Sequence, residues 1–127
     1  MELNVDKQGG YTSTTIRDEQ TKAATYVGED NTADLLFLKY LQDLIARRYR
    51  EMPEGSYTTS LFRQGINRLA QKVGEEAIET VIEATNGTRE GLISEASDLI
   101  YHLMVLLVGK NLELEDLVRE LKKRHKA

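Results

Sequence analysis

Apolar residues recur at intervals of three and four along most of this chain, which is the period of an α-helix with one buried face. Leu35, Leu38, Leu41, Leu44 and Ile45 form a first stripe. It predicts a helix from Asp34, a suitable N-cap, to about Arg50. Met52-Pro53-Glu54-Gly55-Ser56 interrupts the pattern, since Pro53 biases Met52 away from helix and Gly55 permits a turn. A second stripe, through Phe62, Ile66, Leu69, Val73, Ala77 and Val81, predicts a helix from Ser56 or Thr58 to about Thr85. Gly65 and Gly74 lie within it and weaken it by about 1 kcal/mol each relative to Ala. Asn86-Gly87 is a strong stop, and Thr88 can cap a third helix running to about Lys110, apolar nearly all round from Leu99 to Val108. Asn111 tolerates the left-handed conformation and closes that helix. A last amphipathic helix, about Glu113 to His125, turns Leu114, Leu117, Val118 and Leu121 inward and ends in Lys122, Lys123 and Arg124, which complement its dipole.

The first thirty residues break with this regularity. They are rich in Thr, Gly, Asp, Glu and Gln and hold neither period for long. Residues 1–33 therefore read as a polar tail or linker, with one short extended stretch at Thr12 to Ile16, and residues 34–127 as a single all-α domain. The expected fold is a bundle of about four helices around a central antiparallel hairpin turning at Asn86-Gly87.

Composition narrows the class. The chain has 127 residues, 40% hydrophobic and 30% charged, with one proline and no cysteine. It is long enough for one modest core, and the lack of cysteine excludes a disulfide scaffold, Cys-ligated zinc and a thiol nucleophile. A reducing cytoplasm is the expected setting. The net charge of -4 argues against nucleic acid held by bulk electrostatics. No apolar N-terminal segment resembles a signal peptide, and the run from Leu99 to Val108 is short of the roughly 20 residues that span a bilayer.

Two carboxylate pairs stand out against this background, Glu76-x-x-Glu79 and Glu95-x-x-Asp98. Residues three apart share a helix face, so each pair aims its oxygens one way. Both lie roughly ten residues from the Asn86-Gly87 turn, and at about 1.5 Å rise per residue an antiparallel hairpin sets them level. On a plain solvated face, acidic neighbours repel by roughly 0.2 to 0.5 kcal/mol per pair. Either pair alone also fits an ordinary charged surface; together they suggest an all-oxygen site for Mg²⁺, an ion that holds phosphorylated substrates and acidifies water. Glu75 and Glu79 are alternative general bases. Lys72 lies one turn before Glu76, suited to a phosphate or to an ion pair with Glu76. Arg48 closes the first helix, and Ser56, Tyr57 and Thr58 sit at a predicted helix N-terminus, where free N–H groups attract anions; capping explains Ser56 and Thr58 equally, and Tyr57 is suited to stack on a base or simply to pack. His102 on the apolar helix reads as a core residue rather than a ligand.

Pro53-Glu54-Gly55-Ser56-Tyr57-Thr58, then Gln71-Lys72-Val73-Gly74-Glu75-Glu76-Ala77 with Glu79, then Glu95-Ala96-x-Asp98-Leu99 with Tyr101-His102-Leu103, closely resemble the phosphoribosyl-ATP pyrophosphatase family of the all-α, MazG-like nucleoside triphosphate pyrophosphohydrolases. The resemblance covers about Leu35 to His125. It implies Mg²⁺-dependent hydrolysis of phosphoribosyl-ATP to phosphoribosyl-AMP and pyrophosphate, the second step of histidine biosynthesis. It further implies a homodimer that completes the bundle, and metal ligands at Glu76, Glu79, Glu95 and Asp98. The family's usual Gly-Leu-Ser-Leu-Glu-Asp stands here as Asn111-Leu112-Glu113-Leu114-Glu115-Asp116, which predicts a poorer cap. In many organisms the enzyme is fused behind a zinc-dependent phosphoribosyl-AMP cyclohydrolase; with no cysteine and two histidines, that second activity is not expected in this chain. Two other readings are a housecleaning nucleotide pyrophosphohydrolase of the MazG or dCTPase type on the same fold, and a non-catalytic helical dimerisation module.

Overall fold

The computed structural model describes residues 31–125, so the expected tail, including its extended stretch at Thr12 to Ile16, lies outside the described residues except for its last three positions. Five helices follow one another: α1 Thr32–Glu51, α2 Tyr57–Arg63, α3 Ile66–Asn86, α4 Arg89–Gly109 and α5 Leu114–Arg124. The described residues contain no strand, and the fold is all-α as expected. The chain divides into two units, Met1–Lys39 and Tyr40–Ala127; the packing below concerns the second.

α3 and α4 form the antiparallel hairpin and make most of the contacts between helices, with α2 touching both. Thr88 caps α4 as expected, its hydroxyl accepting from the Gly91 N–H at 2.9 Å. The turn leaves little room: a Cβ at Gly91 or Gly87 would meet the Glu83 carboxylate at 1.8 and 2.2 Å respectively. At its open end the hairpin closes tightly around Gly109, where a Cβ would lie 3.2 Å from Ile66 Cδ1 and 3.3 Å from Leu69 Cδ1. The core gathers near this end from Ile45, Leu61, Phe62, Leu69, Met104, Val105, Leu107 and Val108. Each such side chain stabilises the fold by about 1.5 to 3 kcal/mol on burial. By length and composition α4 also suffices to cross a membrane, yet its second half, with five buried residues, supplies much of this core.

Three expectations need correction. The single helix predicted from Ser56 or Thr58 to Thr85 is two, α2 and α3, because Gly65 takes φ +88° and ψ 167°. That region is open essentially to glycine alone, so Gly65 separates two helices rather than weakening one. Asp34 lies inside the first turn of α1 rather than capping it. The poorer cap expected before α5 is also compensated: the Asp116 carboxylate accepts from the Glu113 N–H at 2.9 Å. Gln42 of α1 adds a long-range cap, its side-chain oxygen accepting from the Leu114 N–H and its amide donating to Glu115 at 2.8 Å. Met52 leaves α1 at φ +48° and Gly55 turns at φ +79°, which places the Pro53 loop where the sequence puts it.

Candidate functional site

The hairpin brings Glu76 and Glu79 on α3 up to Glu95 on α4. One carboxylate oxygen from each lies within 4.8 Å of the others, a separation that one divalent cation can bridge. Glu76 is buried at 6% exposure, Glu95 is half-buried and Glu79 exposed. With all three carboxyls ionised, Oε2 of Glu76 and Oε2 of Glu95 are both buried without a hydrogen-bond partner. A buried carboxylate oxygen left unsatisfied is costly, so these two atoms are where a cation would repay its binding most. The donor set is all oxygen and fits a hard divalent ion such as Mg²⁺ better than a soft metal. Asp98, the fourth expected ligand, is exposed and stands outside the group of three.

Electrostatics within the cluster are uneven. Hydrogen bonding to Glu76 and then to Glu95, together with their negative charge, raises the Glu79 carboxyl from 4.5 to about 7. Burial pushes Glu76 upward as well, but its hydrogen bond with Glu79 and the adjacent Lys72 outweigh this and hold it below the ordinary value. Lys72 reaches Glu76 at 3.3 Å, one helical turn away, and Glu75 at 4.0 Å. Glu75 is engaged elsewhere, by Gln71 at 2.9 Å and Arg68 at 3.4 Å. It does not join Glu76, Glu79 and Glu95. Gly74 beside them is open, with nothing within 4 Å of where its Cβ would stand.

The first turn of α2 packs against α4 one turn beyond Asp98. Ser56 is its N-cap, accepting from the Thr59 N–H at 3.2 Å. The Tyr57 hydroxyl lies 3.0 Å from His102 Nε2, the Thr58 hydroxyl bonds the Tyr101 hydroxyl, and His102 Nδ1 lies 2.7 Å from the Asp98 carbonyl. His102 is thus a satisfied core residue, as its place on the apolar helix suggests. Arg48 sits half-buried in the last turn of α1. Sequence patterning did not reveal Gln42, Gln71 or the role of Tyr101, because each acts through a partner defined by packing or rotamer; a polar Gln42 in line with the apolar stripe of α1 was the one available hint.

A model of the phosphoribosyl-ATP pyrophosphohydrolase family matches residues 38–125. This chain belongs to that family. Among curated relatives of the family, the "Histidine biosynthesis bifunctional protein HisIE" of Bacteroides thetaiotaomicron is 63% identical over 105 residues, covering 83% of this chain and 52% of the relative. The protein of the same name from Bacillus subtilis is 44% identical over 117 residues, covering 92% and 52%. The "Phosphoribosyl-ATP pyrophosphatase" of Leptospira biflexa is 49% identical over 89 residues, covering 70% of this chain and 97% of that protein. The chain thus spans about half the length of the bifunctional relatives and nearly all of the Leptospira biflexa protein.

Proposed function

We propose that this chain hydrolyses phosphoribosyl-ATP to phosphoribosyl-AMP and pyrophosphate, as the second step of histidine biosynthesis, with Mg²⁺ bound by Glu76, Glu79 and Glu95 and with Asp98 joining the set. The observation that carries this reading is the pair of orphaned buried oxygens on Glu76 and Glu95 in a chain of this family. When bound, the ion neutralises charge developing on the phosphates and acidifies a water. The chain supplies the rest. Glu79, the exposed member of the cluster, is the candidate base through whichever oxygen the ion leaves free, whereas Glu75 is occupied by Arg68, Gln71 and Lys72. Lys72 holds Glu76 ionised and is within one turn of any phosphate placed over the cluster; Arg48 is a second candidate phosphate contact. Ser56 and Thr58 order the first turn of α2, which presents the Tyr57 ring, 55% exposed, as a face for the nucleobase.

A homodimer belongs to the same proposal. Ile78, Val81 and Ile82 on α3 and Ile93 and Ile100 on α4 are large, apolar and exposed, Ile78 at 63% and Val81 at 60%. On α3 they share one face by their spacing, alongside the exposed Glu79. An apolar stripe of this kind supports association with a second copy.

The test is an assay of pyrophosphate release from phosphoribosyl-ATP with and without Mg²⁺. Turnover should require the ion and fall at least about a hundredfold, some 2.7 kcal/mol of barrier, in Glu76→Ala or Asp98→Ala with helicity by circular dichroism retained. A chain that leaves phosphoribosyl-ATP intact while cleaving dCTP or dUTP would overturn the assignment.

A further inference from the structure

Two consecutive residues of α4, Tyr101 and His102, each hold one of two consecutive residues of α2, Thr58 and Tyr57. The bond to Tyr57 joins an exposed ring to a buried one: Tyr57 is 55% exposed and His102 6%. An exposed tyrosine ordinarily satisfies its hydroxyl with water and its ring is free to turn. Here the ring is held three ways. Its hydroxyl meets His102 Nε2 at 3.0 Å, its plane lies within 23° of the Tyr101 ring at 6.3 Å, and the His102 ring stands at 87° to it at 6.1 Å.

The bond on the other side of the imidazole fixes the tautomer of the neutral ring. His102 Nδ1 lies 2.7 Å from the Asp98 carbonyl oxygen, which can only accept, so Nδ1 carries the proton. In the neutral ring Nε2 is then an acceptor, and the Tyr57 hydroxyl donates to it. The chain of bonds runs from the backbone of Asp98, through one buried ring two helical turns along α4 from Glu95, to an aromatic face at the surface.

We infer that His102 is a positioning residue, which fixes the Tyr57 ring relative to the carboxylate-bearing turn of α4 so that a nucleobase stacked on Tyr57 has its phosphates over Glu76, Glu79 and Glu95. This rests on the reading of Tyr57 as a substrate contact given above. Orientation prepaid in this way strengthens substrate binding without altering the bond-breaking step.

Tyr57→Phe, His102→Asn and His102→Gln test it. Phe keeps the ring and removes its hydroxyl. Asn retains a donor where Nδ1 stands and loses the acceptor at Nε2, while Gln places an amide oxygen where Nε2 stands. The expected result is a KM for phosphoribosyl-ATP raised about tenfold, the equivalent of one hydrogen bond at about 1.4 kcal/mol, in Tyr57→Phe and in His102→Asn. kcat should stay within about twofold of wild type, His102→Gln should recover most of the loss, and the double variant Tyr57→Phe/His102→Asn should be no worse than either single one. Additive losses, a Tyr57→Phe protein with unchanged KM, or a loss confined to kcat would overturn the inference. Imidazole ¹⁵N NMR decides the bond independently of any substrate: His102 should show a protonated Nδ1 and an unprotonated Nε2 whose resonance moves in Tyr57→Phe. An Nε2 resonance indifferent to that substitution overturns the inference even in an active enzyme. Absence of turnover in the wild type beside a responsive Nε2 would instead fault the functional reading, and with it the nucleobase as the ring's occupant.

Discussion

Glu79 is a surface carboxyl whose acidity is governed by its neighbours. Glu76 and Glu95 raise it to about 7, so in the metal-free protein it carries a proton that an unfolded chain releases at its ordinary 4.5. Between those values the native state binds more protons than the unfolded one, and its stability falls as pH rises from about 4.5 to about 7, then levels off as far as this group is concerned. Glu76, held low by Glu79 and Lys72 against the cost of its burial, acts in the opposite sense at lower pH, its contribution being lost as pH falls below 4.5. Melting curves in the presence of a chelator should therefore drop between pH 5 and pH 7, and Glu79→Gln should flatten that drop. A variant that melts with the wild-type pH profile would show that the three carboxyls do not share a proton. Mg²⁺ at pH 7.5 should raise the melting temperature of the wild type by mass action and leave Glu76→Ala/Glu95→Ala unmoved.

At the scale of elements, one glycine divides what the hydrophobic period joins. Phe62, Ile66 and Leu69 continue a single helical rhythm, but the backbone at Gly65 swings α2 out of line with α3 and lets it reach the second half of α4. Tyr57 and Thr58 meet His102 and Tyr101 only because of this break. Gly65→Ala should destabilise the protein by about 1 to 3 kcal/mol, the cost of forcing a side chain into that region, and the loss is to be read from urea titrations. If stability is unchanged, α2 and α3 do not require this backbone. Gln42 shows the same dependence on distant structure. Its side chain caps α5 across more than seventy residues of sequence, a role that a local capping rule cannot anticipate.

For the molecule as a whole, the exposed stripe on α3 and α4 is the surface on which the proposed association is tested. Val81→Glu and Ile78→Glu place charge on that stripe without touching the buried core, and sedimentation should show the proposed dimer shifted to monomer at micromolar concentration. A wild-type chain that sediments as a monomer would remove the dimer from the proposal while leaving the carboxylate cluster as it is. The sequence by itself determined the all-α class, the helices other than the division between α2 and α3, and the Asn86-Gly87 turn, because helical period and turn signals are set by residues within a few positions of one another. Its motifs likewise sufficed to place the chain in its family. What tertiary structure alone decided was the break at Gly65, the long-range cap from Gln42, and which carboxylates converge: Glu76, Glu79 and Glu95, with Glu75 drawn off by Arg68, Gln71 and Lys72 and Asp98 standing exposed. The cap and the convergence depend on packing between helices, which no local pattern encodes; the break depends on a backbone conformation at Gly65 that the hydrophobic period does not register, and Glu75 is diverted by rotamers within α3 itself.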